Sequence, residues 1–273
     1  VPTNPSYQSD TPVLQFEQAI LHNGGKQFGP FQFTVHQGER IAILGPSGAG
    51  KSTLLRLIAK ELAPRQGNIS LYGKALSDWS LTDLSTVRAV LPQSHEVAFG
   101  LPVDLVIGLG RVARTHDRQL PQIVAQSATM ACCAHLLNRH FDTLSGGEKA
   151  RVQLARVFAQ LWDKEHGLLL ADEPIAALDP GLQFDLLDAI DTFARERHHT
   201  VLSVLHDVNH ALASFDRLLF VKDGMLTGDH PADHTAVPHL EHLYDIGFES
   251  IRSTNGELMV KPVRHKAHLK AVL

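Results

Sequence analysis

Nine consecutive residues, Gly45-Pro46-Ser47-Gly48-Ala49-Gly50-Lys51-Ser52-Thr53, have the types and spacing of a phosphate-binding loop, matching G-x-x-x-x-G-K-[ST] from Gly45 to Ser52. Glycines let such a backbone wrap tightly, and its N–H groups converge with a helix N-terminus on phosphate oxygens. Lys51 brings a positive charge suited to the β- and γ-phosphates, and Ser52 offers a hydroxyl to Mg²⁺. Further along stand two adjacent carboxylates, Asp172 and Glu173, closed off by Pro174. Neighbouring side chains at a strand end point differently, so this pair can divide the work. Asp172 is placed to hold Mg²⁺ through its water shell, and Glu173 to polarise an attacking water as general base. Leu144-Ser145-Gly146-Gly147-Glu148 lies between these clusters, and His206 lies beyond them.

The segments around these residues are of the kind needed to position them. Arg40 to Leu44 is a short apolar run typical of a buried parallel strand, and Ser52 to Ala63 carries Leu54, Leu55, Leu57, Ile58 and Leu62 at helical spacing. The loop therefore sits at a strand-to-helix turn. Leu168 to Ala171 is a second apolar strand ending at Asp172, and Thr200 to Leu205 is a third ending at His206. A lone histidine after a strand is usually structural; the place of His206 after Glu173 and before Asp207 favours chemistry. Alternating apolar positions at Val13, Phe31, Phe33, Val35, Ile69 and Leu71 predict antiparallel strands between Val13 and about Val90. From Ser94 to about Phe158 the pattern turns helical, mainly over Ala98 to Gly110 and Leu120 to Leu137. Leu168 to Val221 alternates strand and helix, which predicts an α/β fold with a mostly parallel sheet. Asp223-Gly224 reads as a turn between short strands, and Ala236 to Tyr244 as a helix. Residues 1–12 read as a disordered leader, 13–250 as one domain with a helical subdomain at about 94–158, and 251–273 as a C-terminal extension whose residues Arg264 to Lys270 are basic.

Composition narrows the function. A formal net charge of −4 disfavours a general nucleic-acid binder, whose footprint would be basic. No apolar stretch approaches the roughly twenty residues needed to span a bilayer, and no signal sequence is visible. If the chain drives transport, the pore belongs to another polypeptide. Cys132 and Cys133 are adjacent, poor candidates for a bridge and too few for a structural zinc site. The histidines from His230 to His242, with His265 and His268, repeat no metal-ligand spacing and read as solvated.

Taken with Leu144-Ser145-Gly146-Gly147-Glu148 and the helical continuation Lys149 to Arg156, the ordered set resembles the ATP-binding-cassette (ABC) ATPases. The resemblance implies a P-loop cassette with a mostly parallel core sheet, an antiparallel β subdomain and an inserted helical subdomain. It implies ATP with Mg²⁺, bound by Gly45, Pro46, Ser47, Gly48, Ala49, Gly50, Lys51, Ser52, Thr53 and Gln93, the metal by Ser52, Gln93 and Asp172, with Glu173 and His206 catalytic. Ser145, Gly146, Gly147 and Glu148 match the signature that faces ATP held by a second copy, in a head-to-tail sandwich. Asp179, in Ala177-Leu178-Asp179, matches the loop that communicates across that dimer. Two departures stand out. Ile175 and Ala176 occupy positions where the family usually carries hydroxylated residues, which predicts altered hydrogen bonding around them. The region Leu21 to Gly24 lacks the family's adenine-stacking tyrosine, leaving His22 as the ring there.

Within the family the chain is similar to ATPase subunits of bacterial importers for haem, iron-siderophore and cobalamin, with haem favoured. The cues are Arg88 to Gln93, Ala98-Phe99, Val103 to Arg111, Arg151 to Trp162 and Leu205 to Asn209. That branch implies two transmembrane permease subunits, a periplasmic substrate-binding protein and a peripheral position on the cytoplasmic face of the inner membrane. A non-transport ABC ATPase acting on a soluble partner is the contrasting reading, and an apolar groove across residues 94–111 separates the two. A phosphotransferase is disfavoured by the signature, and GTP by the absence of an Asn-Lys-x-Asp motif.

Overall fold

The computed structural model describes residues 9–93, 100–114, 116–254 and 256–263. In chain order, β1 (Ser9–Asn23) and β2 (Lys26–Gln37) form a long hairpin, and β3 (Arg40–Leu44) leads through the glycine-rich loop into α1 (Lys51–Ile58). Strands β4 (Gln66–Leu71) and β5 (Lys74–Ala75), helix α2 (Leu81–Val87) and strand β6 (Arg88–Leu91) come next. The helices α3 (Val103–Gly108), α4 (Leu120–Met130) and α5 (Gly146–Leu161) separate β6 from β7 (Leu168–Asp172). Then come α6 (Pro180–Arg197), β8 (Thr200–Val204), α7 (Val208–Ser214), β9 (Arg217–Lys222), β10 (Met225–Pro231), α8 (Val237–Tyr244), β11 (Gly247–Arg252) and β12 (Leu258–Val263). One sheet is antiparallel with order β2-β1-β4-β5; the other has order β10-β9-β3-β8-β7-β6, parallel from β9 to β6 with β10 antiparallel at the edge.

The period-2 alternation of the parallel strands divides their side chains between two cores. Ile41, Ile43, Leu168, Leu170, Leu202 and Val204 pack with α1 and the antiparallel sheet, where Phe16 stacks on Phe33 at 4.6 Å. Ala42, Leu44, Leu169, Ala171, Val201 and Leu205 face the helical side with α3 to α6. Burial on both faces explains why these strands read as unbroken apolar runs. Gly45, Glu173 and His206 all lie just past the carboxyl ends of β3, β7 and β8, the crevice where open α/β sheets bind ligands.

The helical insertion is fastened to the sheet by α5. Gln160 Nε2 donates to the carbonyls of Ser85 (2.8 Å) and Arg88 (3.0 Å). Buried Arg111 pairs with Asp117 and, at 2.9 Å, with Asp163, while donating to the Ala159 carbonyl at 3.1 Å. A Cβ at Gly110 would stand 2.2 Å from the Arg156 carbonyl, so glycine sets how closely this turn approaches α5.

Several boundaries differ from the sequence reading. β1 begins at Ser9, and its pairs Ser9↔Gln37 and Pro12↔His36 take in residues read as leader. The limit at residue 250 falls inside β11, which pairs with β12 as a hairpin. The helices are shorter than their apolar patterns: α1 stops at Ile58 before Lys60 (φ 59°), and α4 at Met130 before Cys132 (φ 53°). Left-handed backbone ends a helix regardless of apolar spacing. His230 and His239 stack at 3.9 Å between β10 and α8, His230 half-buried and His239 exposed. Among the described residues no helix is long and apolar enough to cross a membrane. Ala98, Phe99, His265, His268 and the basic stretch 264–270 lie outside the described residues.

Candidate functional site

Three glycines of the phosphate loop, Gly45, Gly48 and Gly50, have positive φ, and at two of them a Cβ would also clash. Gly45 has φ 155°, and a Cβ there would lie 2.0 Å from the Val221 carbonyl oxygen. Gly50, at φ 104°, precedes the first turn of α1, and its Cβ would lie 2.8 Å from the Phe28 ring. The loop thus closes tightly enough for the first-turn N–H groups of α1, which lack intrahelical acceptors, to face its interior. Lys51 is buried and donates to the carbonyls of Gly45 (2.8 Å) and Pro46 (3.1 Å). Burial lowers its pKa, opposed by the charges of Glu173 and Asp172. From the far end of α8, Tyr244 Oη accepts the Gly45 N–H at 3.2 Å, and burial pushes its phenol up to about 12.

The two carboxylates are separated as their positions predicted. Asp172, last residue of β7, accepts from Ser52 Oγ at 3.0 Å; burial raises its carboxyl while the Ser52 bond lowers it. Glu173 turns into the left-handed region (φ 52°), and its N–H donates to the Val204 carbonyl at 3.2 Å, fixing it against β8. Its Oε1 lies 2.5 Å from His206 Nε2, and its Oε2 accepts from Gln93 Nε2 at 2.7 Å. Asp207 caps the following helix, accepting from the N–H groups of Asn209 (2.7 Å) and His210 (3.2 Å), which sets the direction of the His206 turn. A cleft of about 440 Å³ opens here, lined by Phe28, Ser47 to Thr53, Glu173 and His206.

Ser145, Gly146, Gly147, Glu148 and Asp179 do not line this cleft. Each belongs to a helix start instead. Ser145 and Glu148 form a reciprocal capping box on α5, Ser145 N donating to Glu148 Oε2 at 2.8 Å and Glu148 N to Ser145 Oγ at 3.3 Å. Arg139 adds a 3.0 Å ion pair, and these bonds, led by the Ser145 N–H, hold the Glu148 carboxyl below its ordinary range. Asp179 caps α6 by accepting the Leu182 N–H at 3.0 Å. Ile175 is buried, and the carbonyls of Ile175 and Leu178 accept from Gln183 Nε2 at 3.4 and 3.0 Å. His22 pairs with Gln27 in the first hairpin and is not a cleft residue. The ring in the cleft wall is Phe28, which sequence reasoning missed; its only signal was a phenylalanine opening an apolar strand upstream of the loop.

The sequence matches the ABC transporter family over residues 28–176. The hemin import ATP-binding protein HmuV of Pseudomonas aeruginosa is 43% identical over 215 residues, covering 78% of this chain and 84% of that protein. HmuV of Gloeobacter violaceus is 46% identical over 197 residues, covering 69% and 70%. In fold, the chain is similar to a dimeric ATP-binding cassette in a post-hydrolysis state bound to ADP and Pi, with a TM-score of 0.70, 22% identity and coverage of 81% of this chain and 99% of that one.

Proposed function

The chain belongs to the ABC transporter family as an ATP-hydrolysing subunit, and on that premise we propose that it drives haem import from the cytoplasmic face of a bacterial inner membrane. The observation that carries the chemistry is the Glu173 carboxylate, held between Gln93 (2.7 Å) and His206 (2.5 Å) at the mouth of the phosphate-loop cleft. ATP entering the loop gives the Lys51 ammonium phosphate oxygens in place of the Gly45 and Pro46 carbonyls. A γ-phosphate at the mouth competes for His206, and the Glu173 oxygen so released accepts the proton of the attacking water. His206 then steadies the charge building on the phosphate.

The Ser52 hydroxyl and Asp172 carboxylate, 3.0 Å apart, are hard oxygen donors of the kind Mg²⁺ shares with nucleotide phosphates, and the Gln93 amide oxygen would join them. When bound, the metal supplies charge neutralisation at the β- and γ-oxygens. A second copy contributes Ser145 to Gly147 and Asp179 to complete each site. Their positions at helix starts, away from the cleft of their own chain, support this assignment. Leu105, Leu109 and Val112 are exposed at i, i+4 and i+7 along α3 and the turn after it, which supports docking of a permease helix on this face. Haem is favoured over ferric siderophore or cobalamin because relatives above 40% identity are hemin import subunits.

The test is ATPase activity of the chain reconstituted with its membrane subunits, with and without haem-loaded periplasmic binding protein. Stimulation by the haem-loaded form alone supports haem import. Stimulation only by siderophore- or cobalamin-loaded proteins reassigns the cargo, and indifference to all three favours a soluble partner.

A further inference from the structure

The loop from Glu173 to Asp179 poses a mechanical problem. It has two residues in left-handed backbone, Glu173 (φ 52°) and Ala177 (φ 59°), and Ile175 and Ala176 bring no polar side chain to brace it. Bracing comes from Gln183, one turn into α6. Its Nε2 donates to the carbonyls of Leu178 (3.0 Å) and Ile175 (3.4 Å). Since two carbonyls face that end of the amide, it is the NH₂, and the other end is the oxygen. That oxygen lies 3.0 Å from His210 Nε2, so His210 must carry a proton on Nε2 and donate. His210 is buried on the first turn of α7, its ring edge-to-face with Phe184 at 4.9 Å, and its backbone N–H donates to Asp207 beside His206.

We propose that Gln183 and His210 act together as a strut that fixes the Glu173 loop relative to the His206 turn, and so sets the Glu173–His206 geometry for hydrolysis. Both are positioning residues: neither lines the phosphate cleft, and they act through the loop and turn at their two ends. The pair does for this loop what hydroxyl side chains at 175 and 176 would do locally, but reaches across to a second element. This assignment rests on the reading of Glu173 and His206 as the hydrolytic pair.

The strut makes a prediction that mere packing does not. Loss of either polar partner should lower kcat while leaving KM for ATP within about twofold, because misplacement acts on the reacting geometry and not on phosphate binding. His210→Leu and Gln183→Leu should each reduce kcat by roughly tenfold, and the double variant should fall no further than the singles, because both remove one interaction. His210→Gln, whose amide can donate at similar reach, should retain at least about half of kcat. All are measured in the full chain beside Glu173→Gln, with thermal unfolding as the folding control. If His210→Leu fails to fold, Gln183→Leu, on the partly exposed face of α6, gives the same reading. Unchanged kcat in the folded Leu variants, with Glu173→Gln inactive, overturns the strut and leaves the site assignment standing. Failure of His210→Gln to restore activity also overturns it, because the ring's packing on Phe184 would then be what matters. Brisk turnover in Glu173→Gln would overturn the site assignment itself.

Discussion

His199 should make the folded protein sensitive to mild acid. It lies just before β8, 1% exposed, with Nδ1 accepting the Gly167 N–H at 2.9 Å and its ring 4.9 Å from Phe193. Nε2 is buried with no hydrogen-bond partner among the described residues. A second proton would have to sit on Nδ1, against the Gly167 N–H already pointing at it. Burial first, then the positive charge of Arg197 and the neighbouring His166, His198 and Lys164, pushes this imidazole down to about 3. The unfolded chain takes up the same proton near pH 6.5. Between those two values the unfolded state binds a proton that the native state refuses, so stability falls as pH falls through this window and is unaffected above it. At about 1.4 kcal/mol per pH unit, lowering pH from 7 to 5 removes about 2 kcal/mol through this group.

His199→Asn isolates that contribution. The Asn Oδ1 stands where Nδ1 does and can accept the Gly167 N–H, but it does not titrate. Urea unfolding at pH 7 and pH 5 should show the original chain losing about 2 kcal/mol more than the variant, every other titrating group being common to both. Equal losses would refute the argument, as would a His199 ring resonance in the folded protein that titrates near pH 6.5.

Glu173→Gln should still bind ATP but lose hydrolysis and accumulate as an ATP-bound dimer, read by phosphate release and size-exclusion chromatography; rapid turnover would contradict the general-base role. Lys51→Ala should weaken ATP binding by about ten- to a hundredfold, the value of one charge-assisted contact, and unchanged affinity in a direct titration would remove Lys51 from the phosphate site. Gly45→Ala forces a Cβ to 2.0 Å from the Val221 carbonyl. It should lower the unfolding free energy by at least about 2 kcal/mol and abolish nucleotide binding, because the neighbour is backbone on a buried strand and cannot rotate away. A thermal melt and ATP titration matching the original chain would show that the loop does not depend on that glycine.

Legibility in the sequence followed the physics of each feature. The strands β3, β7 and β8 were plain because burial on both faces demands unbroken apolar runs, and the residues after them had to lie at one sheet edge. Asp223-Gly224 announced its turn because both residues take positive φ (51° and 82°). What escaped were features fixed only by tertiary contact. Phe28 belongs to the cleft because Gly50 and Gly224 leave room for its ring, and nothing in the spacing of β2 says so. Tyr244 was read within a helix, but its bond to Gly45 depends on where α8 docks, 199 positions away. Gln183 and His210 look like ordinary polar helix residues until α6 and α7 are brought together. Glu148 shows a second role that the motif alone did not announce. Ser145-Gly146-Gly147-Glu148 is also a capping box, and its carboxylate is occupied with the helix start it belongs to.

Under the proposed dimer, that cap leaves the signature able to serve a site on another chain. The start of α1 already wraps the phosphate loop, so its positive end is spent within its own chain. Helix α5 opens with two glycines whose N–H groups have no intrahelical acceptor, behind a cap that fixes their direction without covering them. Replacing Gly147 by alanine would push a Cβ to 2.4 Å from Leu182 Cδ2, so this helix start is seated closely against α6, whose own cap is Asp179. The signature and the Asp179 cap thus start neighbouring helices, and neither lines the cleft of the chain that carries it. Under the proposed dimer, each chain therefore offers the other a helix start that its own cleft does not use.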